Sequence, residues 1–276
     1  MLTVAYLGPE HTNTHLAARK RFGTRSRYVH APTVEDVFHD VERGRADCGV
    51  VPIENSLEGA VTHTLDRFID FSDSPVRIQG ELELPIRHYL ILPRGLALSS
   101  VKLVFSHPQA LAQCRRWLAR HVPHAAPKET SSTADAVAYV QQGGGTLRRA
   151  AIGRKELARA SLRAIPIPEE RENKTRFLIL GRGQPRRGRR NKTSILFALK
   201  DRPGALHDAL VPFKRNRINL TKIESRPSKR KAWEYLFFID VEGHVSEPRV
   251  QRALKALVAS TSLLRVLGSY PVAKNG

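Results

Sequence analysis

The chain has 276 residues, enough for two domains and a sizeable core. At 41% hydrophobic and 26% charged it has an ordinary globular composition, which excludes wholesale disorder and a collagen-like chain. The formal charge of +20 points to nucleic acid or anionic metabolites as partners. No apolar run reaches the roughly 18–20 residues of a membrane span, and Met1–Pro9 lacks the basic start and long apolar stretch of a secretory signal. The only cysteines, Cys48 and Cys114, argue against a disulfide scaffold and fit a reducing cytoplasm.

Leu2–Leu7 reads as a strand ending at Gly8-Pro9. Thr33 with Asp36 three residues on predicts a capped helix, whose buried face is Val34, Val37, Phe38 and Val41. Asp47–Pro52 is a second strand, and Leu57, Val61, Leu65 and Phe68 mark a helical face after it. Then come a strand at Val101–Phe105, a helix over Pro108–Ala119, a helix capped by Ser132, and strands at Ala150–Gly153 and Phe177–Leu180. This alternation predicts an α/β domain with largely parallel sheets.

Residues 181–192 read GRGQPRRGRRNK, with six basic side chains, no acid and no aromatic. Without aromatics for base stacking, the run predicts a solvated linker rather than a nucleic-acid site. After it, strands at Thr193–Leu199, Ile218–Ser225, Trp233–Val241 and Leu264–Gly268 and helices at Pro203–Asn216 and Ser246–Ala259 give a ferredoxin-like βαββαβ pattern.

Several segments, in order along the chain, resemble the prephenate dehydratase family. They are AYLGPEHTNTHLAA at Ala5–Ala18, VPIENSLEGAVTHTLD at Val51–Asp66, SHPQALAQCRRWL at Ser106–Leu118 and ENKTRFLILG at Glu172–Gly181. RPGALHDAL at Arg202–Leu210 and IESRPSK at Ile223–Lys229 are similar to the two ligand loops of the family's ACT regulatory domain. The resemblance implies an α/β fold: a two-lobed, periplasmic-binding-protein-like catalytic domain followed by a ferredoxin-like ACT domain. The expected boundaries are 1–181 for the catalytic domain, with lobe crossings near 93–101 and 169–177, then a linker over 182–192 and the ACT domain over 193–276. It also implies the reaction. Prephenate loses carbon dioxide and its ring hydroxyl to give phenylpyruvate, the precursor of phenylalanine, with neither metal nor organic cofactor.

Thr175 and Arg176 are the implied catalytic residues. Thr175 offers a hydroxyl to the departing hydroxide, and Arg176 a planar fork that can grip a carboxylate. Phe177 can pack against a ring or the core. Glu54, Asn55 and Ser56 follow a strand and read as the opening of a helix, where free backbone N–H groups bind anions. Ser106 and Gln113 belong to a second strand–turn–helix cradle, where His107 is read as structural, and Thr130–Thr133 precedes a third helix. Thr12 and Thr14 supply hydroxyls in the opening loop, where the family usually has Gly at His11 and an aromatic at Asn13. His11 and His15 lack a third metal ligand, and Gly143–Gly145 has no following Lys-Ser/Thr, so neither a metal site nor a phosphate loop is expected.

In the ACT domain, Gly204, Ala205, Leu206, Glu224, Ser225, Arg226 and Pro227 are expected to bind phenylalanine as an allosteric effector. Gly204 would allow close backbone approach, and Ser225–Pro227 would face the same pocket. ACT pairing implies a homodimer or homotetramer. The family's opening motif starts at residue 2, so a monofunctional dehydratase without a mutase segment is expected. No nucleic acid or membrane partner is implied. Arogenate dehydratase, with an amino group in place of the keto group, and a non-enzymatic amino-acid sensor are the alternatives.

Overall fold

The computed structural model describes residues 1–71, 74–142, 148–168, 172–200, 202–228 and 234–273. Its internal contacts divide the chain into two units. The first holds Met1–Leu7, Ala17–Leu84 and Thr175–Gly276, and the second holds Gly8–Leu16 and Pro85–Lys174.

The first unit begins with β1 (Thr3–Leu7), and helix α1 (Asn13–Phe22) follows. Next come β2 (Arg27–Ala31), α2 (Val34–Glu42), β3 (Cys48–Asn55), β4 (Gly59–Ala60), α3 (Thr62–Asp70) and β5 (Val76–Pro85). The predicted capping box on α2 is present: the Thr33 hydroxyl accepts from the Asp36 N–H at 3.1 Å, and the Asp36 carboxylate accepts from the Thr33 N–H at 3.2 Å. The face it sets, Val34, Val37, Phe38 and Val41, is buried as predicted.

The second unit has β6 (His88–Pro93), β7 (Leu103–Ser106), α4 (Pro108–Gln113), α5 (Arg115–His121), β8 (Ala126–Glu129), α6 (Thr133–Gln142), β9 (Arg149–Gly153) and β10 (Leu162–Ile167). These strands form one five-stranded sheet in the order β10-β6-β9-β7-β8. The helix expected over Pro108–Ala119 is thus two, meeting at Cys114. Ser132 caps α6 as predicted, accepting from the Asp135 N–H at 3.0 Å. The glycines 143–145 lie outside the described residues.

The chain re-enters the first unit at β11 (Lys174–Arg182), which joins a six-stranded sheet in the order β2-β1-β3-β11-β5, with β4 on β3. β11 runs antiparallel to β3, and β6 runs antiparallel to β9 and β10. Both sheets are therefore mixed rather than largely parallel, because the strands beside each crossing reverse direction. The outward crossing falls at Leu84/Pro85, ahead of the 93–101 expected, and the return at Lys174/Thr175. β5 and β6 account for the difference, with Val76–Pro85 in the first sheet and His88–Pro93 in the second.

Arg186, Arg187, Arg189 and Arg190 of the basic stretch are exposed, whereas Arg182 ends β11 and Asn191 and Lys192 are buried at the start of the next strand, so the expected 182–192 linker is shorter at both ends. Then follow β12 (Asn191–Leu199), α7 (Ala205–Arg215), β13 (Leu220–Pro227), β14 (Tyr235–Glu242), α8 (Pro248–Val258) and β15 (Thr261–Pro271). The sheet order is β13-β14-β12-β15, the βαββαβ arrangement expected. One face of this sheet packs Ile195, Phe197, Ile239 and Val241 against α7 and α8 through Ala209, Phe213, Val250, Ala253 and Leu257. The other face, with Leu196, Ala198, Leu236, Phe238, Leu267 and Tyr270, shares a core with Phe38, Leu65, Phe68 and Ile78 of the first sheet and its helices. Gly268 makes this close approach possible: a Cβ there would lie 2.3 Å from the Ile78 carbonyl oxygen.

Candidate functional site

In the first unit, β3 and β11 place two predicted pairs opposite each other: Thr175 faces Asn55, and Arg176 faces Glu54. The Asn55 Oδ1 accepts backbone N–H bonds from Leu57 at 2.9 Å and Glu58 at 3.1 Å. These two bonds fix the amide, so its Nδ2 donates to the Thr175 Oγ1 at 3.0 Å. A hydroxyl that accepts in this way keeps its own proton to give elsewhere. Glu54-Asn55-Ser56 does not open a helix. Asn55 ends β3, Ser56 lies exposed in the turn to β4, and α3 starts only at Thr62. The anion-binding helix end expected there is replaced by an Asx-type turn that orients Asn55.

Arg176 departs from expectation. Its fork is occupied by the chain's own carboxylates: Nη1 donates to Asp240 Oδ2 at 2.7 Å and to Glu81 Oε2 at 3.0 Å, and Nε lies 2.9 Å from Glu54 Oε1. Buried with Glu81 and Asp240, it is held more firmly protonated than an ordinary arginine, the carboxylates outweighing the cost of burial. With Nε and Nη1 both committed to the chain's own carboxylates, the fork is engaged within the protein rather than presented whole to a substrate dianion. Lys192 reinforces Glu81 through two 3.0 Å bonds, and Lys222 pairs with Glu54. Ser194 donates to Asp240 Oδ1 at 2.5 Å and also bonds Tyr270 at 2.7 Å. Burial, with Asp240 and Glu81 nearby, pushes the Tyr270 phenol well above its ordinary range. Phe177 is buried in the strand and offers no surface to a ligand.

The second unit corrects another expectation. Ser106 is fully buried and donates to the Ile152 carbonyl at 2.9 Å, so its hydroxyl ties β7 to β9 rather than cradling an anion. His107 caps α4, its Nδ1 accepting from the Gln109 N–H at 3.3 Å. Gln113 Oε1 takes His88 Nε2 at 2.8 Å and Asn173 Nδ2 at 3.1 Å. Thr14 is buried, and the Thr12 hydroxyl accepts from the His15 N–H at 3.3 Å. The His15 Nδ1 accepts from the His11 N–H at 2.9 Å, closing the same loop.

Arg154 was missed in the sequence. It follows β9 directly, and its Nη2 donates to the carbonyls of His11 and Thr12. Its Nε and Nη1 are buried and have no hydrogen-bond partner among the described residues, and burial pulls its pKa below the ordinary arginine value. Such a group can take an anionic oxygen beside the opening loop. The only sequence signal was a lone arginine ending a buried strand.

His88 carries a pH prediction. Burial lowers its pKa, partly opposed by the bond to Gln113. The folded chain thus keeps His88 neutral where the unfolded chain, with an ordinary value of about 6.5, takes up a proton. Stability should be fully present above that value and fall with pH until the lowered folded-state pKa is passed. Thermal melts from about pH 8 to pH 5 should show a shallower acid loss for His88→Gln than for the parent. Parallel curves would remove His88 from the acid response.

In the ACT domain, Gly204 adopts φ +76° at the start of α7, and a Cβ there would meet nothing within 4 Å among the described residues. Its requirement is the left-handed backbone rather than close approach. Glu224 and Arg226 lie on the half-buried face of β13, while Ser225 and Pro227 are exposed on the other. The four therefore do not converge on one pocket. Arg226 spends its fork on Asp66, at 3.0 and 3.2 Å. Lys229 lies outside the described residues.

The family model for prephenate dehydratase matches residues 4–185, and that for the ACT domain matches residues 193–259. The chain is 46% identical over 276 residues to the bifunctional chorismate mutase/prephenate dehydratase of Aquifex aeolicus, covering 99% of this chain and 74% of that protein. It is 38% identical over 273 residues to the prephenate dehydratase of Amycolatopsis methanolica, covering 98% of this chain and 88% of that one. The crystal structure of prephenate dehydratase from Arthrobacter aurescens in complex with L-Phe superposes with a TM-score of 0.88 at 34% identity, over 98% of this chain and 89% of that one. With matches spanning both domains and the paired Asn55 and Thr175 in register, the chain belongs to the prephenate dehydratase family, whose members are carbon–oxygen lyases.

Proposed function

We propose that Thr175 is the hydrogen-bond donor to the leaving hydroxyl as prephenate becomes phenylpyruvate, and that Asn55 aims it. The observation that carries this is the Asn55 Nδ2 to Thr175 Oγ1 bond, in which the threonine oxygen accepts and so does not spend its own proton on Asn55. In the reaction the ring C–carboxylate bond breaks and its electron pair enters the ring. Carbon dioxide leaves, the ring C–O bond breaks, and the departing oxygen takes the electron pair and then a proton as water. A threonine hydroxyl is a poor acid at neutral pH, so its part is to stabilise developing hydroxide by a positioned bond. Ultraviolet detection of phenylpyruvate tests this, with prephenate and arogenate assayed in parallel. Faster turnover of arogenate would make it the substrate of this site.

The ACT domain, together with the L-Phe complex of the Arthrobacter aurescens relative, supports phenylalanine as the feedback effector. Pairing of ACT domains into a dimer or tetramer, in a cytoplasm where Cys48 and Cys114 stay free thiols, belongs to the same reading. Gly204→Val should abolish inhibition. A branched residue at positive φ costs about 1–2 kcal/mol and shifts the backbone at the start of α7. Uninhibited turnover should stay within a few-fold. Phenylalanine titration of activity and calorimetric binding decide it. A variant that binds and responds like the parent places the effector site elsewhere, and a parent that never responds makes the ACT domain structural.

A further inference from the structure

Thr175 and Asn55 are each followed or preceded by a charged residue whose partner lies in the ACT sheet. Beside Thr175 on β11, Arg176 is held by Asp240 of β14. Beside Asn55 on β3, Glu54 is held by Lys222 of β13. Arg176 and Glu54 also meet each other, at 2.9 Å, in the same strand register that brings Thr175 to Asn55. The cluster balances three cations, Arg176, Lys192 and Lys222, against three carboxylates, Glu54, Glu81 and Asp240. Most of it is buried, where removing one partner leaves an uncompensated charge and forces the others to move.

The β3–β11 register shifts between Arg176, which pairs with Glu54, and Phe177, which pairs with Pro52, so Ile53 of β3 is the extra residue and the pairs that carry Asn55 and Thr175 are set apart from the regular ladder beyond it. A bulge of this kind re-aims side chains, and its direction depends on what anchors it. Here the anchors come from the ACT sheet, with Glu81 of β5 completing the set. β13 brings Lys222 to Glu54 and, two residues further on, begins the stretch Glu224–Pro227.

Resting on the reading of Thr175 as donor, we infer that Lys222 and Asp240 are positioning residues for the dehydration. They touch no substrate. They hold Glu54 and Arg176, and through them the Asn55–Thr175 bond, so the ACT sheet completes the geometry of the donor.

The test uses the full chain and three substitutions, Lys222→Met, Lys222→Arg and Asp240→Asn, each also made in a Thr175→Ala background. Lys222→Met keeps the aliphatic stem and loses only the charge. With prephenate, kcat should fall about 10- to 100-fold in Lys222→Met and Asp240→Asn, the range for a slightly misplaced catalytic group. KM should stay within a few-fold of the parent, and Lys222→Arg should recover most of the loss. In the Thr175→Ala background the same substitutions should change kcat by less than about twofold, because a residue that acts through Thr175 has nothing left to position. A parent-like kcat in folded Lys222→Met overturns the inference. So does a loss that multiplies undiminished in the Thr175→Ala background, which is the signature of general destabilisation. If Asp240→Asn does not fold, the Lys222 pair alone decides. A parent that forms no phenylpyruvate would instead overturn the functional reading, and that result is distinct from an active parent with unaffected variants.

Discussion

Thr175→Ala is expected to lower turnover by about two to four orders of magnitude, the range for loss of a positioned proton donor. Binding of a phenylpyruvate-like ligand should be kept, because Thr175 is only half-buried and its hydroxyl bonds Asn55. Asn55→Asp is the sharper experiment. The aspartate is nearly isosteric and can still accept the Leu57 and Glu58 N–H groups that Asn55 Oδ1 accepts. It has no N–H to give to Thr175, so the hydroxyl would turn and donate to the carboxylate. The proton would then be spent inside the protein. Asn55→Asp should therefore approach Thr175→Ala in kcat without unfolding the turn, whereas Thr175→Ser, which keeps a hydroxyl at the site, should retain most activity. Near-parent turnover in folded Asn55→Asp would show that the direction of this bond is irrelevant, and near-parent turnover in Thr175→Ala would remove Thr175 from the chemistry.

The parts of this arrangement that the sequence made legible are local or carried by motif. The capping box at Thr33, the cap at Ser132 and the alternation of β12 to β15 with α7 and α8 follow from residue spacing within a few positions. Thr175 and Asn55 were singled out by family resemblance, though 120 positions separate them. What stayed hidden is the use to which charged residues are put. Arg176 looked like a substrate fork because its partners Glu81 and Asp240 lie 95 and 64 positions away, on strands whose pairing no local pattern reveals. Arg226 misled in the same way, with Asp66 at a separation of 160. β5 alternates apolar and polar residues as a strand should, yet its Glu81 is buried among them. A carboxylate in such a place needs a buried cation, and only the folded sheet shows which one. Glu54-Asn55-Ser56 is ambiguous in sequence for a different reason. A polar triplet after a strand suits a helix start and a tight turn equally, and Asn55 bonding the N–H groups two and three residues on decides for the turn.

Arg176→Met should be costly to stability rather than to substrate affinity. The substitution leaves Glu54, Glu81 and Asp240 facing only Lys192 and Lys222, and so one buried negative charge without a partner. Breaking a buried pair in this way costs about 3–5 kcal/mol. At roughly 2–4 °C per kcal/mol for a chain of this size, the melting temperature should drop by about 6–20 °C. Arg176→Lys should recover only part of it. An ammonium on a single stem can approach one or two carboxylates, while the guanidinium reaches Glu54 through Nε and both Glu81 and Asp240 through Nη1. Turnover in whatever fraction stays folded should fall with the loss of the anchored Thr175, and KM for prephenate should remain near that of the parent. The two roles proposed for this arginine thus separate cleanly. A substrate fork predicts a parent-like melting temperature with KM raised by a large factor, and a charge bridge predicts the reverse. Calorimetric melts and steady-state kinetics on the same preparations, below the melting range of the weakest variant, distinguish them. If Arg176→Met melts like the parent and loses affinity for prephenate, the fork must release its carboxylates to take the substrate.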